Sequence, residues 1–452
     1  MIWLIDYTHY QKPIHPRLVA AKQDYFRLKS YVRHRKIGPT APVQTRVFGT
    51  GLLRLATILH KNGIPVRYLH YHQLEELLAQ GAAIAETVAF SAICPTVNLC
   101  RELAVKIKEQ SPGTTVILGG VHANLNPETT ASRFPVFDRI SLGHELAAAE
   151  AIAGKPLQPT PTPYVDYSLL PYPLKEYAIN TVSTVGCPFR CDYCADGRAP
   201  HYIASPDGQL SIMKQLLPPR TLVHFFDSVL GYSTEGARAV CRAIQKTQHP
   251  FLLSCDMRAE LLTPELLAEM EAAGFVEVRL GMESADPDLL IRNGRTLLPD
   301  RFAGQIANIR QNSNLYITLY SITGLPGTTA ASHEKTLRYC EELFREQLVD
   351  EIKNAQYVPY PIEGIDYAQR GVTIQNFNWT DYDRQSYPVY RTEEMTSDEL
   401  WELYLHTAED INRSWLKGLG FSSFDQVPVI ENYYSEYVEA NYLGNTATTE
   451  DD

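Results

Sequence analysis

Three cysteines fall within the short run Gly186-Cys187-Pro188-Phe189-Arg190-Cys191-Asp192-Tyr193-Cys194, and nowhere else in the 452-residue chain are thiols bunched. Soft thiolates select zinc or iron-sulfur clusters. A closed structural zinc site wants a fourth Cys or His at loop distance, and neither occurs between Cys194 and His201. A short loop can instead wrap three thiolates around one 4Fe-4S cubane, each on a different iron. The fourth iron is then open to chelate an amine and a carboxylate from a small molecule. Cys94, Cys100, Cys241, Cys255 and Cys340 stand singly in apolar surroundings, as buried thiols do, so no disulfide framework is expected.

The elements that must position this loop follow a strand-helix alternation. Apolar strands are expected at Ile179 to Thr184, directly before the cysteines, then at Thr221 to Phe226, Leu252 to Asp256, Glu277 to Gly281, Tyr316 to Ile322 and Glu351 to Pro359. Helical spacing lies between them, notably Pro264 to Ala273 and Ala331 to Glu346. Six such units predict a partial (β/α)6 barrel over residues 175–370, with its chemistry at the C-terminal strand ends. Upstream, strands are expected at Ile2 to Asp6, Val66 to Leu69, Val88 to Ile93, Val116 to Leu118 and Arg139 to Leu142, with helices at Leu52 to Leu59 and Val97 to Ile107. Strands that are apolar throughout imply a doubly wound, Rossmann-like parallel sheet over residues 1–155, whose ligand crevice lies beyond the strand C-termini.

Residues 156–174, with Pro159, Pro161, Pro163, Pro171 and Pro173, read as a semi-rigid linker. Residues 371–452 read as a small helical extension, in which Ser397 to Leu416 is an amphipathic helix with Ser397 as N-cap and the tail from Thr446 is disordered. The connection from His9 to Arg46 sets nine basic residues, among them Lys12, Arg17, Lys29 and Arg33, against the single acid Asp24. Connections this long are often functional; a solvated basic helix over Leu18 to Tyr31 is the alternative. The net charge of -11 argues against nucleic-acid binding. No apolar run reaches bilayer length and the N-terminus lacks a basic leader, so a cytoplasmic protein is expected.

With these landmarks in place, the chain resembles the radical S-adenosylmethionine (SAM) superfamily over most of residues 175–370. The resemblance is carried by the cysteine loop and, in order at successive strand ends, by Phe225-Phe226-Asp227-Ser228, Cys255-Asp256-Met257-Arg258, Gly281-Met282-Glu283-Ser284, Thr323-Gly324-Leu325-Pro326-Gly327 and Val358-Pro359-Tyr360-Pro361. It implies a 4Fe-4S cluster on Cys187, Cys191 and Cys194, and SAM against it. Tyr193 would lie over the cluster loop and adenine, Asp227 and Ser228 near the methionine amine, Arg258 near the carboxylate, and Glu283 with Ser284 near the ribose or amine. The usual Gly-Gly-Glu element after the second barrel strand is absent.

The first domain is similar to the cobalamin-binding domain that precedes the barrel in one radical SAM class. Gly51-Leu52-Leu53-Arg54, Ser91, Leu118-Gly119-Gly120-Val121-His122 and Leu142-Gly143-His144-Glu145 carry that similarity. Ser91, Gly119 and Gly120 would open a slot for a corrin nucleotide tail, and the basic loop would lie over the corrin face. No Asp-x-His-x-x-Gly motif supplies a cobalt ligand. The resemblance implies methyl transfer to a small-molecule metabolite, with a reductant such as flavodoxin or ferredoxin as partner. The alternative is cobalamin-independent dehydration, epimerisation, cyclisation or rearrangement beside a vestigial domain; a non-catalytic iron-sulfur scaffold is a third reading.

Overall fold

The structure is a computed structural model that describes residues 1–7, 12–41, 46–161, 164–198 and 201–430. The N-terminal half is an all-parallel sheet of β1 (Ile2–Asp6), β2 (Val66–His70), β3 (Thr87–Ser91), β4 (Thr115–Gly119) and β5 (Arg139–Ile140), ordered β2-β1-β3-β4-β5. Leu4, Ile5, Val88, Val116 and Leu118 are fully buried because helices cover both faces. The order reverses direction beside β1, and in register Asp6 lies between His70 and Ser91, with Gly119 beyond Ser91. All the strand ends that bear candidate ligands therefore lie on one edge.

The second half opens with β6 (Ile179–Thr181) and the short antiparallel pair β7 (Thr184–Val185) and β8 (Tyr202–Ile203), which brackets the cysteine loop. It continues through β9 (Leu222–Phe225), β10 (Leu252–Met257), β11 (Phe275–Glu283), β12 (Tyr316–Thr323) and β13 (Glu351–Gln356). The parallel order β13-β12-β11-β10-β9-β6 is a six-stranded partial barrel. Its outward side chains, such as Val278, Leu280, Ile317 and Leu319, are buried beneath helices. Its inward side chains form polar tiers set by register: His224, Ser254, Glu277 and Tyr316 lowest, Asp256, Arg279, Thr318 and Glu351 above them, then Gly281, Tyr320 and Lys353.

The basic connection after β1 behaves differently from both expectations. Helix α1 (Pro16–Ile37) neither covers the N-terminal crevice nor lies solvated; it closes the floor of the barrel. Arg33 is 2% exposed and bonds Glu277, itself fully buried, at 2.9 Å. Arg279 reaches the other oxygen of Glu277 at 3.0 Å, Lys29 lies 3.4 Å from Glu351, and the Tyr25 hydroxyl donates to Glu351. Inward carboxylates at the base of an open barrel need cations, and the helix supplies them at positions 29 and 33, four residues apart on one face. Residues 9–11 and 42–45 of the connection lie outside the described residues, as does the tail from Thr446.

Burial favours the neutral form of Glu277, but Arg279 and Arg33 outweigh it and hold its carboxyl well below its ordinary value of 4.5. A depressed carboxylate contributes stability that is complete above its unfolded pKa and lost as pH falls through the folded one. Stability should therefore decline once pH drops below about 4.5. Glu277→Gln should be less stable at neutral pH and lose part of that acid slope, read from urea midpoints across pH 3 to 7 (a range of about four units).

The long C-terminal helix runs from Ser397 to Gly418 and packs along α1, where Asn412 donates to the Ala21 carbonyl at 2.7 Å and Arg17 pairs with Glu402 and Glu409 at 3.0 Å. Its N-cap is Thr396 rather than Ser397, because Thr396 and Glu399 form a reciprocal capping box. The proline-rich segment is also not a free spacer. Val165, Tyr167, Leu170 and Leu174 are buried, and Arg54 binds the segment through Thr160 and the Tyr164 carbonyl at 2.6–2.7 Å; Pro163 lies outside the described residues. No helix among the described residues is long and apolar enough to cross a membrane.

Candidate cluster and cofactor crevice

The two sheets are tied together at several points near their strand ends. At one end of the seam His70, closing β2, lies 3.0 Å from the Tyr177 hydroxyl just before β6. Elsewhere Asn126, beyond β4, donates to the Pro361 carbonyl beyond β13, and the Tyr202 hydroxyl on β8 donates to Glu145 after β5 at 3.0 Å. These ties frame a candidate crevice, on whose N-terminal side the apolar side chains Ile93, Val121 and Leu142 are exposed, one after each of β3, β4 and β5. Across it Ile203 and Phe226 are exposed too, Phe226 by 68%. Apolar residues of two domains left uncovered at one seam are what a large, flat, largely apolar ligand would cover.

The cysteine loop forms one wall. Gly186, with φ 75°, turns the chain out of β7, a backbone state that costs glycine little. Cys187 is buried, Cys191 and Cys194 are half-buried, and none is in a disulfide. The Cys194 amide donates to the Cys191 carbonyl at 3.1 Å, so the last turn of the loop is closed by the backbone itself. No group of three or more His, Cys, Asp or Glu among the described residues gathers tightly enough for a single ion, whereas a cubane takes each thiolate on a separate iron and needs the wider socket. Burial pushes the Cys194 thiol up to about 11, with Asp196 and the neighbouring thiols adding to the effect; iron loading would have to release these protons. The surroundings suit an anionic cluster: the Arg258 guanidinium stacks on Phe189 at 4.2 Å and Arg370 bonds the Asp192 carbonyl.

The strand-end residues named from the sequence divide into two groups. Tyr193 and Glu283 face the loop: the Tyr193 hydroxyl donates to Glu283 at 2.8 Å, and Glu283 takes a left-handed φ of 60° at a register shift in β11. Gly281 makes that turn-back possible, since a Cβ there would come within 2.4 Å of the Glu283 carboxylate. The others are held by different protein partners. Asp227 accepts from the Ser183 and Thr184 amides at 2.8 Å and from the Ser183 hydroxyl at 2.7 Å. Burial raises its pKa to about 6 against those bonds. Ser228 donates to Asp196 at 2.8 Å, Arg258 pairs with Glu260, and Ser284 is buried against Thr336 at 3.0 Å. Asp227 therefore braces the strand that launches the cysteine loop, and Ser284 faces a helix rather than the crevice.

Sequence reasoning passed over Arg295. It sits on the turn after the helix Pro287–Arg292, with no periodic or motif signal to mark it, yet it is 7% exposed and reaches Cys191, Gly281 and Glu283. It also gave no part to the barrel interior at Asp256, which lies 3.2 Å from His224 and whose second oxygen is buried with no donor among the described residues.

On the N-terminal lip, Ser91 and Gly119 are register partners. A Cβ on Gly120, whose φ is 95°, would come within 2.6 Å of the Ala92 backbone, and one on Gly119 would meet the Ser141 carbonyl at 3.3 Å. Gly120 thus permits the close approach of the β3 and β4 ends, and Gly119 leaves room beside β5. His122 turns inward, 1% exposed and edge-on to Trp379 at 4.4 Å; burial pushes it down to about 4, so it is neutral.

A cysteine-lined loop at the mouth of a partial barrel, facing the ligand edge of a doubly wound domain, defines a radical SAM architecture with a cobalamin-type first domain. Residues 181–340 match the Radical SAM superfamily and residues 39–153 the B12 binding domain, so the chain carries both domains, the B12 binding domain first. An uncharacterized methyltransferase of Pyrococcus horikoshii, PH0819, is 22% identical over 331 residues, which cover 64% of this chain and 70% of that protein. Among solved structures, the radical S-adenosylmethionine methyltransferase TsrM from Kitasatospora setae, with tryptophan substrate and a SAM analogue bound, matches with a TM-score of 0.61 and 16% identity, covering 98% of this chain and 96% of that one. The cobalamin-dependent S-adenosylmethionine radical enzyme OxsB, with aqua-cobalamin and SAM bound, matches with a TM-score of 0.51 and 14% identity over 76% of this chain and 52% of that one. At such identities these likenesses establish the fold.

Proposed function

We propose that this chain is a cobalamin-dependent radical SAM methyltransferase acting on a small molecule held in the barrel lumen. The observation that carries the reading is the set of ties between the two domains: Tyr202 on β8, beside the cysteine loop, bonds Glu145 after β5, and Asn126 after β4 bonds the Pro361 carbonyl beyond β13, so a cluster on the loop and a corrinoid at the strand ends of the first sheet would meet at one seam. Methyltransferase chemistry is also what the names of PH0819 and TsrM state for those proteins. When bound, the cluster supplies an electron for SAM cleavage and cobalamin a methyl carrier.

The chain's own residues hold and orient. Cys187, Cys191 and Cys194 would take three irons. Tyr193 and Glu283 would meet SAM beside the open iron, with Arg258 near its carboxylate, while Asp227, Ser228 and Ser284 keep the loop and strand ends in place. Ser91 and Gly119 would flank the nucleotide tail, with Gly120 setting the spacing of the strand ends. His122, closed beneath Trp379, is in no position to be read as a cobalt ligand, which favours a corrinoid without a protein histidine on cobalt. In the lumen, the exposed Phe226 offers an apolar wall, which favours a substrate with an apolar body. An external one-electron donor of the flavodoxin or ferredoxin kind would serve the half-exposed cysteine loop.

The test is reconstitution with iron, sulfide and hydroxocobalamin, followed by absorbance spectra and analysis of 5′-deoxyadenosine after dithionite reduction. A corrin spectrum together with the cluster band is expected, and wild-type protein that takes up no corrinoid would end the methyltransferase reading. Gly119→Val should lower corrinoid uptake at least about tenfold, because its branched side chain enters the space beside the Ser141 carbonyl, while iron content stays at the wild-type level.

A further inference from the structure

The strongest unassigned constellation lies beside Cys191. Arg295 extends from a turn that is itself fixed to the cysteine loop: the Asp192 amide donates to the Asn293 carbonyl at 3.3 Å, and Asn293 in turn donates to Leu289 and Pro326 carbonyls at 2.8 and 3.0 Å. From that anchored base, Nη2 of Arg295 donates to the Gly281 carbonyl at 2.8 Å and lies 3.2 Å from Glu283, and Nη1 points at the Cys191 sulfur at 4.0 Å. Its Nε is buried and has no acceptor among the described residues. A guanidinium is a permanent cation, and here it is almost wholly shielded from water.

We propose that Arg295 sets the reduction potential of the cluster, making it easier to reduce, with Glu283 as the opposing charge. The inference rests on the cluster reading above. Taking up one electron adds one negative charge to the cluster and its thiolates. A cation with an N-H aimed at a ligating sulfur stabilises that reduced form more than the oxidised one, and in a dry site the interaction is weakly screened. Glu283, fixed between Arg295 and Tyr193, acts with the opposite sign. A residue that only held the loop in shape would move cluster stability without this paired, opposite effect on potential.

The experiment is a redox titration of the full chain, reconstituted anaerobically with iron and sulfide and monitored by electron paramagnetic resonance in the absence of SAM. In Arg295→Met the ratio of reduced to oxidised cluster, measured at the wild-type midpoint, should fall about tenfold, which is about 59 mV for a one-electron couple. Arg295→Lys keeps the charge without the planar fork and should lie between Met and wild type. Glu283→Gln should shift the midpoint the other way. A brown Arg295→Met protein with full iron content and an unmoved midpoint overturns the proposal, as do Met and Gln variants that move in the same direction. If Arg295→Met fails to hold a cluster, the Lys and Gln variants decide: opposite shifts support the assignment and two unmoved midpoints overturn it. A colourless wild-type protein strikes the cluster reading and this inference together, whereas a brown protein with unmoved midpoints strikes Arg295 alone.

Discussion

Cys191→Ala should yield a folded, colourless protein: the brown 4Fe-4S absorbance, the iron content and all SAM cleavage should disappear together. Cys187→Ala and Cys194→Ala should behave alike, because a cubane held by two protein thiolates loses a third of its anchoring. The comparison residues are Cys100 and Cys340. Both are free thiols in other parts of the fold, fully buried inside helices, and burial pushes Cys340 up to about 12. Their alanine variants should keep colour and iron and lose only packing stability, about 1 to 2 kcal/mol for a small buried side chain. Full iron content in Cys191→Ala, measured after anaerobic reconstitution, would remove the cluster from this loop.

The second large effect concerns stability. Arg33→Met should cost about 3 kcal/mol, at the low end for breaking a buried ion pair because Arg279 still contacts Glu277. The loss should appear as a lower urea midpoint with an unchanged slope. Methionine fills similar volume, so the effect reports the charge that Glu277 loses rather than a cavity. Combining Arg33→Met with Glu277→Gln should recover part of the loss if the pair acts as a unit. A single variant as stable as wild type would mean that the barrel floor is wetter than the 2% exposure of Arg33 suggests.

How much of this was readable in advance depended on how local the signal was. Each barrel strand is a short apolar run between turn signals, so β9 to β13 were expected within a few residues of where they lie, and the cysteine spacing marked its own loop. The floor of the barrel was not readable. Arg33 and Glu277 are separated by 244 positions, and nothing near Arg33 distinguishes a cation seeking a buried carboxylate from one seeking water. The row Tyr25, Lys29, Arg33 at four-residue spacing was the available hint. Proline composition suggested a spacer at residues 156–174, but prolines fix backbone angles and say nothing of where Tyr167 and Leu170 find burial. At the site, the landmarks located the strand ends correctly but not the direction of each side chain. Asp227 and Ser284 face partners from neighbouring segments, and Arg295, a lone basic residue on a turn, left no pattern to read.

The floor helix also governs the order in which the chain can mature. Residues 1–37 leave the ribosome long before β11 and β13 exist, so Lys29 and Arg33 must wait, charged and solvated, for carboxylates made some 240 or more residues later. The C-terminal helix that flanks α1 comes later still, with the Asn412 to Ala21 bond joining positions 391 apart. The N-terminal lobe therefore carries the floor helix of its neighbour from the first moments of synthesis, and that helix finds its carboxylates only once the barrel strands exist. A severed N-terminal lobe would carry a helix with nothing to close.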